Sequence, residues 1–169
     1  MSVLTLPRPS VGGSDRAFLL QRAQPAMTGL IDGSLSTLAP VFAVAFATHQ
    51  PLYAFFAGLA TAIGAGVSMA FSEGLSDTGE LTERGNPYQR GAITGAGTFL
   101  GGALHALPFL IPDYRVALAA AFVTIVIELV TLSVIRWRVF GTGFVRSFVA
   151  IALAGVIITS VSATLGAIS

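Results

Sequence analysis

The chain has 169 residues, of which 54% are hydrophobic and only 10% charged, and its mean hydropathy is +0.81. Soluble domains carry about 25% charged residues, so this chain lacks the polar surface to face water all round and belongs to the membrane class. Nine arginines, no lysine and eight acids leave a net charge of +1, there is no basic run and no nucleic-acid partner is expected, and the absence of cysteine excludes disulfides, thiolate metal sites and thiol redox chemistry.

Residues 1–24 form an N-terminal segment of Pro, Gly and Ser, expected to be mobile, followed by a short interfacial helix. Ser14 can cap that helix, with Asp15 in its first turn. The segment lacks the basic–apolar–small order of a cleaved signal peptide. Pro25 is expected to break or kink the chain before the transmembrane domain, residues 25–169.

Five apolar stretches follow, each near the ~20 residues that a helix needs to cross a bilayer. Continuous apolar runs of this length argue against strands, so the expected fold is all-α. The expected spans are residues 27–47, 52–74, 90–111, 116–135 and 144–168. Between them lie the polar turns His49-Gln50-Pro51 and Pro112-Asp113-Tyr114-Arg115, an acidic connection ending in Gly85-Asn86-Pro87, and a polar link over residues 136–143.

Arginine placement sets the expected orientation. With the N-terminus cytoplasmic, Arg8, Arg16, Arg22, Arg84, Arg90, Arg136, Arg138 and Arg146 all fall inside, and only Arg115 falls outside. Five spans then carry the C-terminus to the outer side. In this topology Asp32, Met69 and Glu73 share a similar depth near the inner face.

The second span carries two rows of small residues. Ala54, Gly58, Ala62, Gly66, Ala70 and Gly74 recur every fourth position, with Ala60, Gly64, Ser68 and Ser72 beside them. Such rows let helix backbones approach closely in lipid, and they are expected to bring the first span near the second.

Asp32 is the sharpest single residue, flanked by Gly29 and Gly33 and followed by Ser34 and Ser36. A bare aspartate within a span costs ~2.5–3.5 kcal/mol on insertion scales, and no arginine lies in the apolar part of a span to pair with it. A cation or proton role competes here with that of a hydrogen-bonded structural aspartate. Met69 and Glu73, spaced i, i+4, share a helix face. Thioether and carboxylate together suit a borderline ion such as Fe²⁺ better than Mg²⁺ or Ca²⁺, although a lone methionine also serves as core filler.

Asp77, Glu80 and Glu83 continue the acidic series without a base before Arg84. They form either a solvated helix end or a cation-attracting cytoplasmic mouth. Glu128, deep in the fourth span, is a proton-coupling candidate or a polar contact between helices. His49 and His105 are placed near the outer surface as turn or interface residues. No Ser-His or zinc-ligand spacing suggests an enzyme.

The motifs IDGSLSTLAPVFAVAFA and AGVSMAFSEGLSDTGE resemble the first and second spans of the vacuolar iron transporter family, and FVRSFVAIALAGVIITSVSATLGAI is similar to its arginine-led last span. The resemblance covers residues 25–169. It implies a five-helix homodimer that exchanges cytosolic Fe²⁺, or Mn²⁺, for protons at a path between the first spans of the two copies. By position it makes Asp32, Met69 and Glu73 metal ligands, with the metal as cargo and no resident cofactor. The long metal-binding insertion of eukaryotic members is absent, since only residues 75–89 join spans two and three. The short form resembles the membrane half of bacterial membrane-bound ferritin-type exporters. This implies the bacterial plasma membrane and leaves room for a separate cytosolic metal-delivery partner. The rival expectation, from another class, is a non-transporting membrane scaffold packed through its small-residue faces.

Overall fold

A computed structural model describes residues 13–80 and 82–168. The expected mobile segment up to residue 12, Arg8 included, lies outside these residues. Among the described residues there are helices and turns and no strand. The elements are α1 (Gly13–Phe18), α2 (Gln24–Thr48), α3 (Pro51–Gly74), α4 (Pro87–Ala106), α5 (Tyr114–Phe140) and α6 (Phe144–Ile168). Five helical stretches are long and apolar enough to cross a membrane, and this architecture marks an integral membrane protein. Every backbone polar group in a lipid-crossing segment must be satisfied within it, which helices achieve.

Three boundaries differ from expectation. The lead-in helix does not stop at Pro25: Leu19–Ala23 forms a π-helical turn, and helix runs without a break from Gly13 to Thr48. Gln24 donates its N–H to Leu19 O, five residues back. Proline at position 25 has no N–H and its ring crowds the carbonyl four residues earlier, and a local i→i+5 turn is one way a helix absorbs such an insertion. At the third span, α4 ends at Ala106 and a 3₁₀ turn, Leu107–Leu110, tucks Phe109 into the core. In the fourth, helix continues through Arg136 and Arg138 to Phe140, so the expected polar link shrinks to residues 141–143. Arginine stems can lie along apolar surface while their heads reach water.

The caps follow sequence chemistry. Asn86 Oδ1 accepts from the N–H groups of Tyr88 and Gln89 at the start of α4, ahead of Pro87. Asp113 Oδ1 does the same for Arg115 and Val116 at the start of α5. Gly141, at φ +63, ends α5 in the left-handed conformation that glycine adopts without strain.

The packing centre is α4. Its apolar stretch is 56% buried within the protomer, against 11% for that of α6. Glycine makes this possible. A Cβ on Gly33 of α2 would stand 1.9 Å from Thr98 O, and one on Gly91 of α4 would stand 2.4 Å from Ala70 O of α3. Both α2 and α3 therefore meet α4 backbone to backbone. On α3 the row Ala54, Gly58, Ala62 and Gly66 is buried, as a packing face should be. The second row is not: Ala60, Gly64, Ser68 and Ser72 are exposed, with open space at Gly64.

Candidate functional site

Two polar clusters and one solitary carboxylate stand out. The first cluster closes the end of the bundle where α3 finishes and α4 begins. Arg90 is completely buried there. Its Nε donates to Glu73 Oε1 at 2.9 Å, its Nη2 to Asp77 Oδ1 at 2.7 Å and its Nη1 to Gly85 O at 3.4 Å. Arg84 adds Nη2 to Glu73 Oε1 at 2.6 Å and Nη1 to Asp77 Oδ2 at 3.4 Å. Two guanidiniums thus neutralise two carboxylates. The Arg90 hydrogen bond, helped by the charges of Arg90 and Arg84, holds the Asp77 carboxyl below its ordinary range.

This corrects the picture of an acidic run without a base. Arg84 and Arg90 follow the acids in sequence, but the turn folds both back onto them, with Gly79 (φ +82) and Gly85 (φ +69) permitting the reversal. Farther along the turn, Glu83 pairs with Arg16 of α1 at 3.3 Å, both side chains well exposed, and Glu80 is exposed. Met69 lies one turn before Glu73 and is half-buried.

The second cluster lies inside the helix bundle, between α2, α4 and α5. Glu128 of α5 is 9% exposed, and Ser34 Oγ of α2 is hydrogen-bonded to its Oε1. His105 of α4 is 4% exposed, with Nδ1 at 3.2 Å from Glu128 Oε2 and 3.1 Å from Gly101 O. His105 is therefore buried inside the protomer and not part of a turn. Spacing alone offered no signal for this pairing, because its members are far apart in the chain.

Asp32 is the solitary carboxylate. It is half-buried, and among the described residues no ion pair or hydrogen bond reaches its carboxylate. Ser36 Oγ donates to the Asp32 backbone O at 2.7 Å, while Pro40 has no N–H to offer the Ser36 carbonyl. Gln24, Thr28, Asp32 and Ser36 recur every fourth residue, and three of the four are exposed while Asp32 is partly so. A polar row therefore faces away from the protomer's own core. Gln24 and Thr28 also line a groove of about 730 Å³ with Met27, Ile31, Arg136 and Phe140. That groove brings open space to within one turn of Asp32.

Among the described residues no hydrogen bond or ion pair joins Asp32 to Glu73. At this level α2 seats Gly29 and Gly33 on Thr94 and Thr98 of α4, and α3 seats Gly66 and Ala70 on Gly95. Among the described residues no three carboxylate or imidazole groups converge as a ligand set. The chain matches no protein-family description, no curated protein and no solved structure.

Proposed function

We propose that the chain is a proton-coupled exporter of a divalent transition metal, Fe²⁺ or Mn²⁺, acting as a homodimer with its N-terminus in the cytosol. The observation that carries this reading is the unpaired Asp32 carboxylate on an outward-facing polar row of an apolar helix. An ionisable group in that position is costly unless it has a partner or a task. A second copy related by a two-fold axis that passes beside Asp32 would set it opposite its own equivalent, since a residue meets its own copy only near the axis of such an interface. Two carboxylates facing each other favour a divalent cation or protons between them, and one displaces the other.

The resemblance of the Asp-Gly and Ser-Met-Ala-Phe-Ser-Glu motifs to the vacuolar iron transporter family supports the same reading. Met69 supplies a soft ligand on α3. Both arginines engage Glu73 through Oε1, so Glu73 would serve cargo through Oε2 or after Arg84 swings away. The 730 Å³ groove is the access route along Gln24 and Thr28, and Asp77, Glu80 and Glu83 lie at the cytoplasmic mouth. The exposed row of Ala60, Gly64, Ser68 and Ser72 leaves a second face that another helix can approach closely.

The test is Fe²⁺ or Mn²⁺ uptake into inside-out vesicles driven by an imposed pH gradient. Wild type should accumulate metal, and Asp32→Ala should reduce the rate at least tenfold. Transport by Asp32→Ala at the wild-type rate would remove Asp32 from the path. If the wild type moves no metal under any gradient, the scaffold reading takes its place.

A further inference from the structure

The Ser34–His105–Glu128 cluster has a hydrogen count that can be closed. The Ser34 hydroxyl owns one hydrogen, yet its Oγ stands 2.6 Å from Leu30 O and is also bonded to Glu128 Oε1. Nδ1 of His105 carries at most one hydrogen, yet it lies 3.1 Å from Gly101 O and 3.2 Å from Glu128 Oε2. With a bare carboxylate, four acceptor oxygens would share two hydrogens.

One more proton settles the arrangement. Placed on Glu128 Oε1, it goes to Ser34 Oγ, while Ser34 gives its own hydrogen to Leu30 O and His105 gives its own to Gly101 O. Only Glu128 Oε2 is then left without a donor, and Oε2 is a buried oxygen with no hydrogen-bond partner. Both backbone carbonyls also accept their helical N–H, so the hydroxyl and the imidazole can turn to the carboxylate when the proton leaves. A cavity of about 20 Å³ adjoins the group, which is room for one water molecule. Among the described residues the surrounding wall contains no further charge: α2 contributes Ser34 and Leu38, α5 Ile125 and Leu132, and α6 Ile151 and Gly155.

We propose that Glu128 and His105 together bind one exchangeable proton inside the membrane, with the Ser34 hydroxyl following it. The pair is neutral with that proton on either member; losing it leaves one net negative charge and gaining another leaves one net positive, both disfavoured in lipid. The proton is the only species that moves, and no bond to carbon is made or broken. Asp32 lies two residues before Ser34, about 200° around α2, so one helix carries the proton site on one side and the solitary carboxylate on the other. What the proton drives rests on the exporter reading; that it binds here does not.

The experiment uses the full chain in lipid without metal. Infrared difference spectra between about pH 5 and 9 should show a protonated carboxyl C=O band that is lost in Glu128→Gln and shifted in His105→Gln. With only two histidines in the chain, ¹⁵N-imidazole spectra of His49→Gln report His105 alone, even if Glu128→Gln fails to fold. The His105 signal should change in the same pH step as the carboxyl band. A band that survives in Glu128→Gln, or a His105 signal that ignores that step, overturns the proposal. In vesicles, Glu128→Gln should lose at least tenfold of its pH-gradient response while keeping metal-dependent stabilisation. If the band and the His105 step are present in a protein that moves no metal, the proton site stands and the exporter reading falls.

Discussion

Nε of Arg90 lies 2.9 Å from Oε1 of Glu73, and the arginine side chain is entirely removed from solvent. The first buried charge on α4 thus answers the last acid on α3, across a connection that carries both chain reversal and charge. Asp77 accepts the other arm of the same guanidinium at 2.7 Å. The planar fork of arginine suits two acceptors at once, where an ammonium would offer a point charge.

Removing that guanidinium should be costly. Removing Arg90 leaves Glu73 and Asp77 to Arg84 alone, so Arg90→Ala should unfold more readily in detergent than wild type. Arg84→Ala, whose side chain is 23% exposed, should cost clearly less. Equal thermal shifts for the two variants would contradict the central place given to Arg90.

The same network predicts a pH dependence. The folded state lowers the pKa of Asp77, so its stabilisation is complete above the unfolded value near about 3.9. It is lost as pH falls through the lower folded value, because the unfolded state then binds more protons. Melting temperatures of wild type and Asp77→Asn should therefore differ most near neutrality and converge in acid. A gap that widened on acidification would reverse the sign.

Backbone contact between α2 and α4 should tolerate no methyl group. A Cβ at Gly33 meets Thr98 O at 1.9 Å, whereas one at Gly64 meets nothing within 4 Å. Gly33→Ala should destabilise by at least the 1–3 kcal/mol typical of overpacking, roughly, and Gly64→Ala should be neutral or slightly stabilising. Chemical denaturation of both variants decides this. A stable Gly33→Ala would mean that the two helices are farther apart.

Metal binding at Asp32 should appear as stabilisation. At Fe²⁺ or Mn²⁺ about 100-fold above Kd, one site contributes about 2.7 kcal/mol. Asp32→Asn should abolish the corresponding rise in melting temperature, and Gly64→Ala should retain it. Full retention in Asp32→Asn would place the metal elsewhere.

Orientation can be read directly, because the chain contains no cysteine. Thr78→Cys, in the turn after α3, should react with impermeant maleimide only from the cytosolic side. Gln50→Cys, in the turn between α2 and α3, should react only from the opposite side. The reverse pattern would invert the topology drawn from arginine placement.

What was legible in the chain was local. Apolar runs of span length, the Ala54–Gly58–Ala62–Gly66 packing row and the turns at Asn86 and Asp113 follow from composition and short spacing, because lipid forces each segment to satisfy its own backbone. Helix ends were less legible: apolar stems of Arg136 and Arg138 carry α5 onward, and the π turn before Pro25 absorbs an expected break. Tertiary structure alone decided which charges meet. Glu73 finds Arg90 by a chain reversal at two left-handed glycines, and Glu128 finds Ser34 and His105 because glycine lets α4 sink between its neighbours. Asp32 read as a solitary acid in the sequence and remains one in the fold: packing turns its row outward, and among the described residues no arginine pairs with its carboxylate.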